Sequence, residues 1–198
     1  MAKIKLTKNE LKSQKDALRR FERYLPTLIL KKQQLQMVIR QVEQQEREKS
    51  SEQAKMNKGL EEWVAVFGEN LNLENLLTVG SIATETGNIA GVDIPVFTGI
   101  TFREAPYDLF DLPLWVDKGI EFLKAAAALD AEIQVLKEQI RLLGDELRIT
   151  TQRVNLFEKV KIPETREHIR VIRIYLGDQQ TAAVVRGKIA KNNIVKVR

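Results

Sequence analysis

The sequence predicts a mainly α-helical protein. Two long helices, one N-terminal and one C-terminal, pair antiparallel as a coiled coil, with a short β-hairpin and loop inserted at the far end. Three observations predict this. Apolar residues recur every seven positions from residue 11 to residue 67. A second seam, alternating steps of four and three, runs from residue 129 to residue 157. Between them, residues 78–113 change character and become rich in glycine, proline and β-branched side chains. The expected division is therefore 1–77 for the first helix, 78–113 for the insert and 114–198 for the second helix with a basic tail.

The first helix opens on a capping box, Thr7 as cap and Glu10 three residues on. One seam position falls at Leu11, Leu18, Leu25, Lys32, Ile39, Glu46, Gln53, Leu60 and Phe67. The other falls at Gln14, Phe21, Leu28, Leu35, Val42, Lys49, Met56 and Trp63. Twelve of these 17 positions are apolar and the phase never slips, which is the pattern of a left-handed coiled coil. Pro26 interrupts the ladder, but the seam continues in phase on both sides, so a kink is expected and not an end. From Glu43 to Lys55 the seam turns polar, which reads as a solvated stretch of helix or as a place where a polar partner surface meets it.

In the insert, 79–86 and 88–97 read as strands, with Gly87-Asn88 as the turn signal. A loop with exposed aromatics (Phe102, Tyr107, Phe110, Trp115) is expected to follow. The second helix starts after Pro113. Its seam is Leu129, Ile133, Leu136, Ile140, Leu143, Leu147, Thr150, Val154 and Phe157. Beyond Pro163 the apolar set returns displaced by one residue, at Ile169, Ile172 and Leu176, so a bend or skip is expected there.

Composition excludes several classes. The chain is 198 residues, 30% charged and 6% aromatic, with no cysteine and hence no disulfide or thiolate metal site. No apolar run is long enough to span a bilayer, and the start carries no apolar run of signal-peptide length, so a cytoplasmic protein is expected. Net charge is +5, distributed unevenly: residues 1–23 and 164–198 each carry eight bases against three acids. An antiparallel pair brings these ends together as one positive tip. No phosphate loop, nucleophile elbow or dinucleotide fingerprint is present, and adjacent acidic pairs such as Glu61-Glu62 diverge by about 100° on a helix. The sole histidine, His168, sits among charged residues and reads as a surface or contact residue. No catalytic residue, cofactor or metal site is expected.

Three segments carry a family likeness. Thr150-Thr151-Gln152-Arg153-Val154-Asn155-Leu156-Phe157-Glu158-Lys159-Val160-Lys161-Ile162-Pro163 resembles the C-terminal signature of the D subunits of V-type and A-type ATPases, with Leu156 and Phe157 as mild departures. Asn88-Ile89-Ala90-Gly91-Val92-Asp93-Ile94-Pro95 is similar to the same family's β element, and Leu6-Thr7-Lys8-Asn9-Glu10-Leu11 to its opening. Leu25-Pro26 departs from the family pattern. The resemblance implies a non-catalytic central rotor shaft that couples ATP hydrolysis or synthesis to proton or sodium translocation. It implies as partners a catalytic ring of A and B subunits, the F subunit and a membrane-side funnel subunit, and a place on the cytoplasmic side of the membrane as part of the complex. On this reading the basic tip (Lys3, Lys5, Lys8, Lys12, Arg19, Arg20, Arg186, Lys188 and Lys191) rides against acidic loops of the ring. The competing readings are a coiled-coil scaffold, which gives the insert no role, and a basic coil on nucleic acid, which lacks any reader motif.

Overall fold

The computed structural model describes residues 4–61, 76–105, 112–113 and 115–197. In chain order the elements are α1 (Lys8–Glu61), β1 (Leu77–Ile89), β2 (Val92–Glu104), α2 (Val116–Asn155), a π-helical turn (Leu156–Lys161) and α3 (Ile162–Val197). Long helices flanking a two-stranded antiparallel hairpin are the architecture that the periodicities predict. The chain divides into two compact units. One comprises Met1–Lys32 with Ile149–Arg198, and the other Gln33–Arg148. Seam residues Trp63 and Phe67, and the insert's Tyr107 and Phe110, lie outside the described residues.

α1 begins as its cap dictates. The Glu10 amide donates to Thr7 Oγ1 at 3.2 Å and the Leu11 amide to the Thr7 carbonyl at 3.0 Å. The Glu10 carboxylate accepts the Gln14 amide at 2.8 Å, extending the first turn. The helix then runs unbroken through Pro26, which removes one donor from the ladder. From Leu11 to Met56 every predicted seam position is buried or half-buried.

In the unit of residues 33–148 the seam closes around Leu35, Val42, Leu136 and Leu143, with Leu35 and Leu143 completely buried. Ile94 of β2 joins them at 2% exposure, backed by Ile89, Ala90 and Val92. The hairpin tip is therefore part of this core. A two-stranded hairpin alone is marginal in water. Burying one isoleucine contributes about 1.5–3 kcal/mol. The Gln139 side-chain amide also donates to the Pro95 carbonyl, satisfying a buried polar group. Docking of the tip therefore holds the hairpin against the helices.

The hairpin is longer than expected, thirteen residues per strand, and its turn lies elsewhere. Gly87 and Asn88 sit within β1, and the chain reverses at Ala90 (φ 53°) and Gly91 (φ 77°). Two consecutive positive φ values are what the twist of a tight hairpin requires. Asn88 braces the turn: its side chain donates to Asp93 Oδ1 at 2.7 Å and accepts the Gly91 amide at 3.2 Å. Ala90 adopts a conformation that glycine or asparagine takes more readily, and its half-buried methyl packs on the core in return. Gly80 on β1 and Thr98 on β2 are each skipped in the pairing, so two bulges on opposite strands cancel in register. At the first, the Thr101 hydroxyl accepts the Ser81 amide at 3.0 Å and donates to the Ser81 carbonyl at 3.1 Å, filling the gap in the ladder. Phe102 lies in β2 and is half-buried, as is Trp115, so neither is the exposed loop aromatic that the composition predicts.

The polar stretch of α1 also differs from expectation. Its partner is the chain's own second helix. Lys49 Nζ reaches Glu132 at 3.0 Å, Lys137 reaches Glu46 at 3.8 Å, and the Gln53 amide donates to Asp130 at 3.3 Å. Ascending α1 numbers meet descending α2 numbers, so in this unit the helices run antiparallel. The half-buried charges at seam positions are thereby paired across the interface.

Two outcomes test this packing. Ile94→Ala is expected to cost about 2–5 kcal/mol, read by urea unfolding, with loss of amide-exchange protection in β1 and β2 before α1 and α2. The hydrogen bond to Glu132 holds the Lys49 ammonium above its ordinary value of 10.5. A raised lysine stabilises the fold below its ordinary value and loses that contribution as pH climbs through the raised one. Thermal midpoints measured on either side of pH 10.5 are therefore expected to fall further for the native chain than for Lys49→Met.

Candidate functional site: a cation-rich helix face

The unit formed by residues 1–32 and 149–198 is where charge accumulates. Its first segment holds ten Lys/Arg against three Asp/Glu and its second eleven against four, a net of +14. The remaining residues, 33–148, carry eleven bases against twenty acids, a net of −9. A chain of modest total charge is thus strongly polarised between its two units, and the first is attractive to polyanions and acidic surfaces.

Its core repeats the seam rule. Val154, Ile162, Ile169 and Ile172 are buried with Thr150 and Thr165, and Ile172 is completely inaccessible. Phe21 of α1 lies against Phe157 with ring centroids 5.2 Å apart and planes tilted by 51°. From Leu143 to Phe157 the seam advances by fours and threes. It then takes one step of five to Ile162 and resumes at Thr165, Ile169 and Ile172. The extra residue is absorbed by the π-helical turn, where the Ile162 amide donates to the Phe157 carbonyl five residues back. The predicted skip is this turn. It also makes room for Pro163, whose ring in an α-helix would press on the carbonyl four residues earlier.

The family-like string therefore sorts by physical role. Val154, Phe157 and Ile162 hold the seam, while Arg153, Asn155, Glu158 and Pro163 are exposed. The extra residue leaves Leu156 and Val160 facing solvent, at 43% and 47% exposure. Of the insert residues singled out from sequence, Asn88 and Gly91 build the turn and Pro95 anchors it to Gln139.

Among the predicted tip residues, Lys5, Lys8, Lys12, Arg19 and Arg20 are exposed at and beyond the start of α1. Arg186, Lys188 and Lys191 are exposed on α3, and Lys3 lies outside the described residues. All of residues 177–195 are exposed, including Val184, Val185, Ile189 and Ile194. Nineteen consecutive exposed helical residues, mixing aliphatic and basic side chains, form a surface suited to another chain.

Sequence reading missed one part of the site. Lys15, Arg166, Arg170 and Arg173 join the predicted Arg19 on an open groove whose floor includes Leu18 and Ile169. Arg166 Nη2 meets Glu22 across the groove at 2.8 Å. Arg170 holds Glu167 through two nitrogens at 2.8 and 2.6 Å. That hydrogen-bonded guanidinium keeps the Glu167 carboxyl below the usual range. Arg19 is 4.0 Å from Asp16. The signal was present: Arg166, Arg170 and Arg173 are spaced four and three apart, beside seam residues Ile169 and Ile172. His168 is half-buried, and no group of three metal-ligating side chains occurs among the described residues.

Long helices on either side of a docked hairpin, with a cation-rich exposed face in one of the two units, define a mainly helical protein with a surface attractive to acidic groups. Comparison with known proteins narrows the class. The sequence pattern of the ATP synthase D-subunit family matches residues 10–192, and the chain belongs to that family. It is 53% identical over 196 residues to the D subunit of the V-type ATP synthase of Borreliella burgdorferi, covering 99% of this chain and 97% of that one. It is 33% identical over 196 residues to the protein of the same name from Chlamydia abortus, covering 98% and 94%. With that of Chlamydia trachomatis serovar L2 it shares 32% over 200 residues, covering 98% and 97%. No helix among the described residues is long and apolar enough to cross a membrane.

The π-turn is open to a direct test. Deleting Glu158 shortens the step from Phe157 to Ile162 to four and restores an α-helical phase, but leaves the proline ring without room. Pro163→Ala is expected to change stability little in the native chain and to recover about 3 kcal/mol in the deletion background. Urea unfolding of the four proteins reads the cycle.

Proposed function

We propose that this chain is the central rotor shaft of a V/A-type rotary ATPase or ATP synthase, coupling nucleotide turnover in a catalytic ring to proton or sodium translocation. The observation that carries the reading is full-length membership of the D-subunit family. The exposed, basic and aliphatic run 177–195 supports it, as does the +14 unit to which that run belongs.

The chain contributes an axle and no chemistry of its own. Its surface is asymmetric, so each catalytic interface of a surrounding ring of A and B subunits meets a different face. Each face favours one open or closed state, and rotation and nucleotide occupancy become linked equilibria. The unit comprising 1–32 and 149–198 stands inside the ring, with Lys5, Lys8, Lys12, Arg19, Arg20, Arg186, Lys188 and Lys191 facing its acidic loops. Exposed ion pairs contribute only about 0–1 kcal/mol each, so no single contact holds the shaft at one angle. The hairpin-bearing unit meets the F subunit, and a funnel-shaped subunit links the shaft to the membrane rotor. The complex is peripheral to the membrane on its cytoplasmic side.

Co-expression with the partner subunits of the source organism, followed by native mass spectrometry, tests the assignment. One copy per ring, together with one F subunit, is the expected result. A homodimer that ignores those subunits would overturn it. Reversing Arg186, Lys188 and Lys191 to glutamate is expected to weaken ring association about tenfold and to steepen its loss with salt, as read by titrated assembly.

A further inference from the structure

We infer that the β-hairpin is a splint: it spans the stretch where the α1/α2 seam turns polar and holds the two helices in register there. The splint acts within the unit of residues 33–148, and only its use in carrying torque rests on the rotor reading.

β2 is fastened to α2 at two points. The Pro95 carbonyl accepts from the Gln139 side chain, and Glu104 Oε1 lies 2.7 Å from Lys124 Nζ. The helix between those anchors covers about 22 Å, and the strand between them about 30 Å when fully extended. On the same face of α2, at steps of four, three, four and four from Lys124 to Gln139, lie Ala128, Ala131 and Val135. Ala131 is buried, and Val135 shares a cleft with Val96 and Phe97 of β2 and Val38 and Val42 of α1, so the strand faces both helices. The cross-helix pairs Lys137–Glu46, Lys49–Glu132 and Gln53–Asp130 all fall inside this span of α2. There α1 offers Glu46, Lys49 and Gln53 to the seam, where nearer its start it offers Leu35 and Val42. Polar seam positions fix register at a cost in stability. A hydrogen-bonded ladder pinned at both ends of that stretch keeps the anchors at a set separation, and the helices between them cannot slide or unwind independently.

Hydrogen exchange on the full chain tests this. Joining Ile82 to Ile100, which face each other in the ladder, through Asn-Gly keeps the base of the hairpin and removes its tip. Amides of residues 43–55 are then expected to exchange about tenfold faster, while those of residues 8–32 keep their rate. Glu104→Lys sets two ammonium groups together at the base and is expected to raise the rate at 43–55 about threefold. Adding Lys124→Glu is expected to restore it. Native rates at 43–55 in the trimmed chain overturn the inference, and so does an equal rise at 8–32, which marks a general loss of stability. If the trimmed chain does not fold, the charge cycle decides alone: no change with Glu104→Lys, or no recovery with the swapped pair, overturns the splint. The rotor reading stands or falls separately, on native mass spectrometry of the assembled complex.

Discussion

A helix can stay paired with another only while its buried side chains keep to one stripe. That stripe drifts when the residue count per turn is wrong, and much of this structure answers that constraint. From Leu11 to Met56, α1 holds a strict seven-residue phase. Its partner does not, because the step from Phe157 to Ile162 is one residue too long. The chain absorbs the excess in a single π-helical turn, where the backbone bond reaches five residues instead of four. Three further features follow. Phe157 stays on the seam and meets Phe21, Pro163 finds space, and Leu156 and Val160 are left on the outside. A run that looks like a sequence signature is the local solution to a counting problem.

The same seam rule is given two different rims. In the unit of residues 33–148, charged side chains face one another across the interface: Lys49 with Glu132, and Lys137 with Glu46. Charge is used there within the chain, and the unit's surplus is acidic. In the other unit, which carries twenty-one bases against seven acids, the carboxylates of Asp16, Glu22, Glu164 and Glu167 are each paired with a base of the same unit, and the surplus of charge is basic. Exposure follows the same division. Residues 177–195 are all exposed, while the tip of the hairpin is sealed into the core by Ile94.

Sequence periodicity made the seams, the first cap and the skip near Pro163 legible, because each depends on residues close together in the chain. What escaped depends on distant contacts. Gly87-Asn88 carries stronger local turn chemistry than Ala90-Gly91. The turn nevertheless forms at the latter, since only that register places Ile89, Ala90, Val92 and Ile94 against the helical core. The polar heptads between Glu43 and Lys55 looked solvated because their acidic and basic partners lie some 80 residues away on α2. The groove cations were missed for a related reason. Arg166, Arg170 and Arg173 look like a solvated stripe until the one-residue skip fixes which face of α3 meets α1.

For a shaft that turns against its surroundings, the distribution of interaction strengths matters more than their sum. Aliphatic burial at Leu35, Leu143 and Ile172 is local to the chain and insensitive to what passes outside it. At about 25 cal/mol per Å² of apolar surface, such burial keeps the helices paired under load. Exposed cations of the kind on its face form only weak pairs that exchange readily. A contact made by many weak pairs can be broken at one carboxylate and re-formed at the next without crossing a single large barrier. An aliphatic lock on the outside would instead store its full energy at one angle. The strong interactions of this chain therefore belong inside its seam and the exchangeable ones on its face. Its burial and charge are divided in that way.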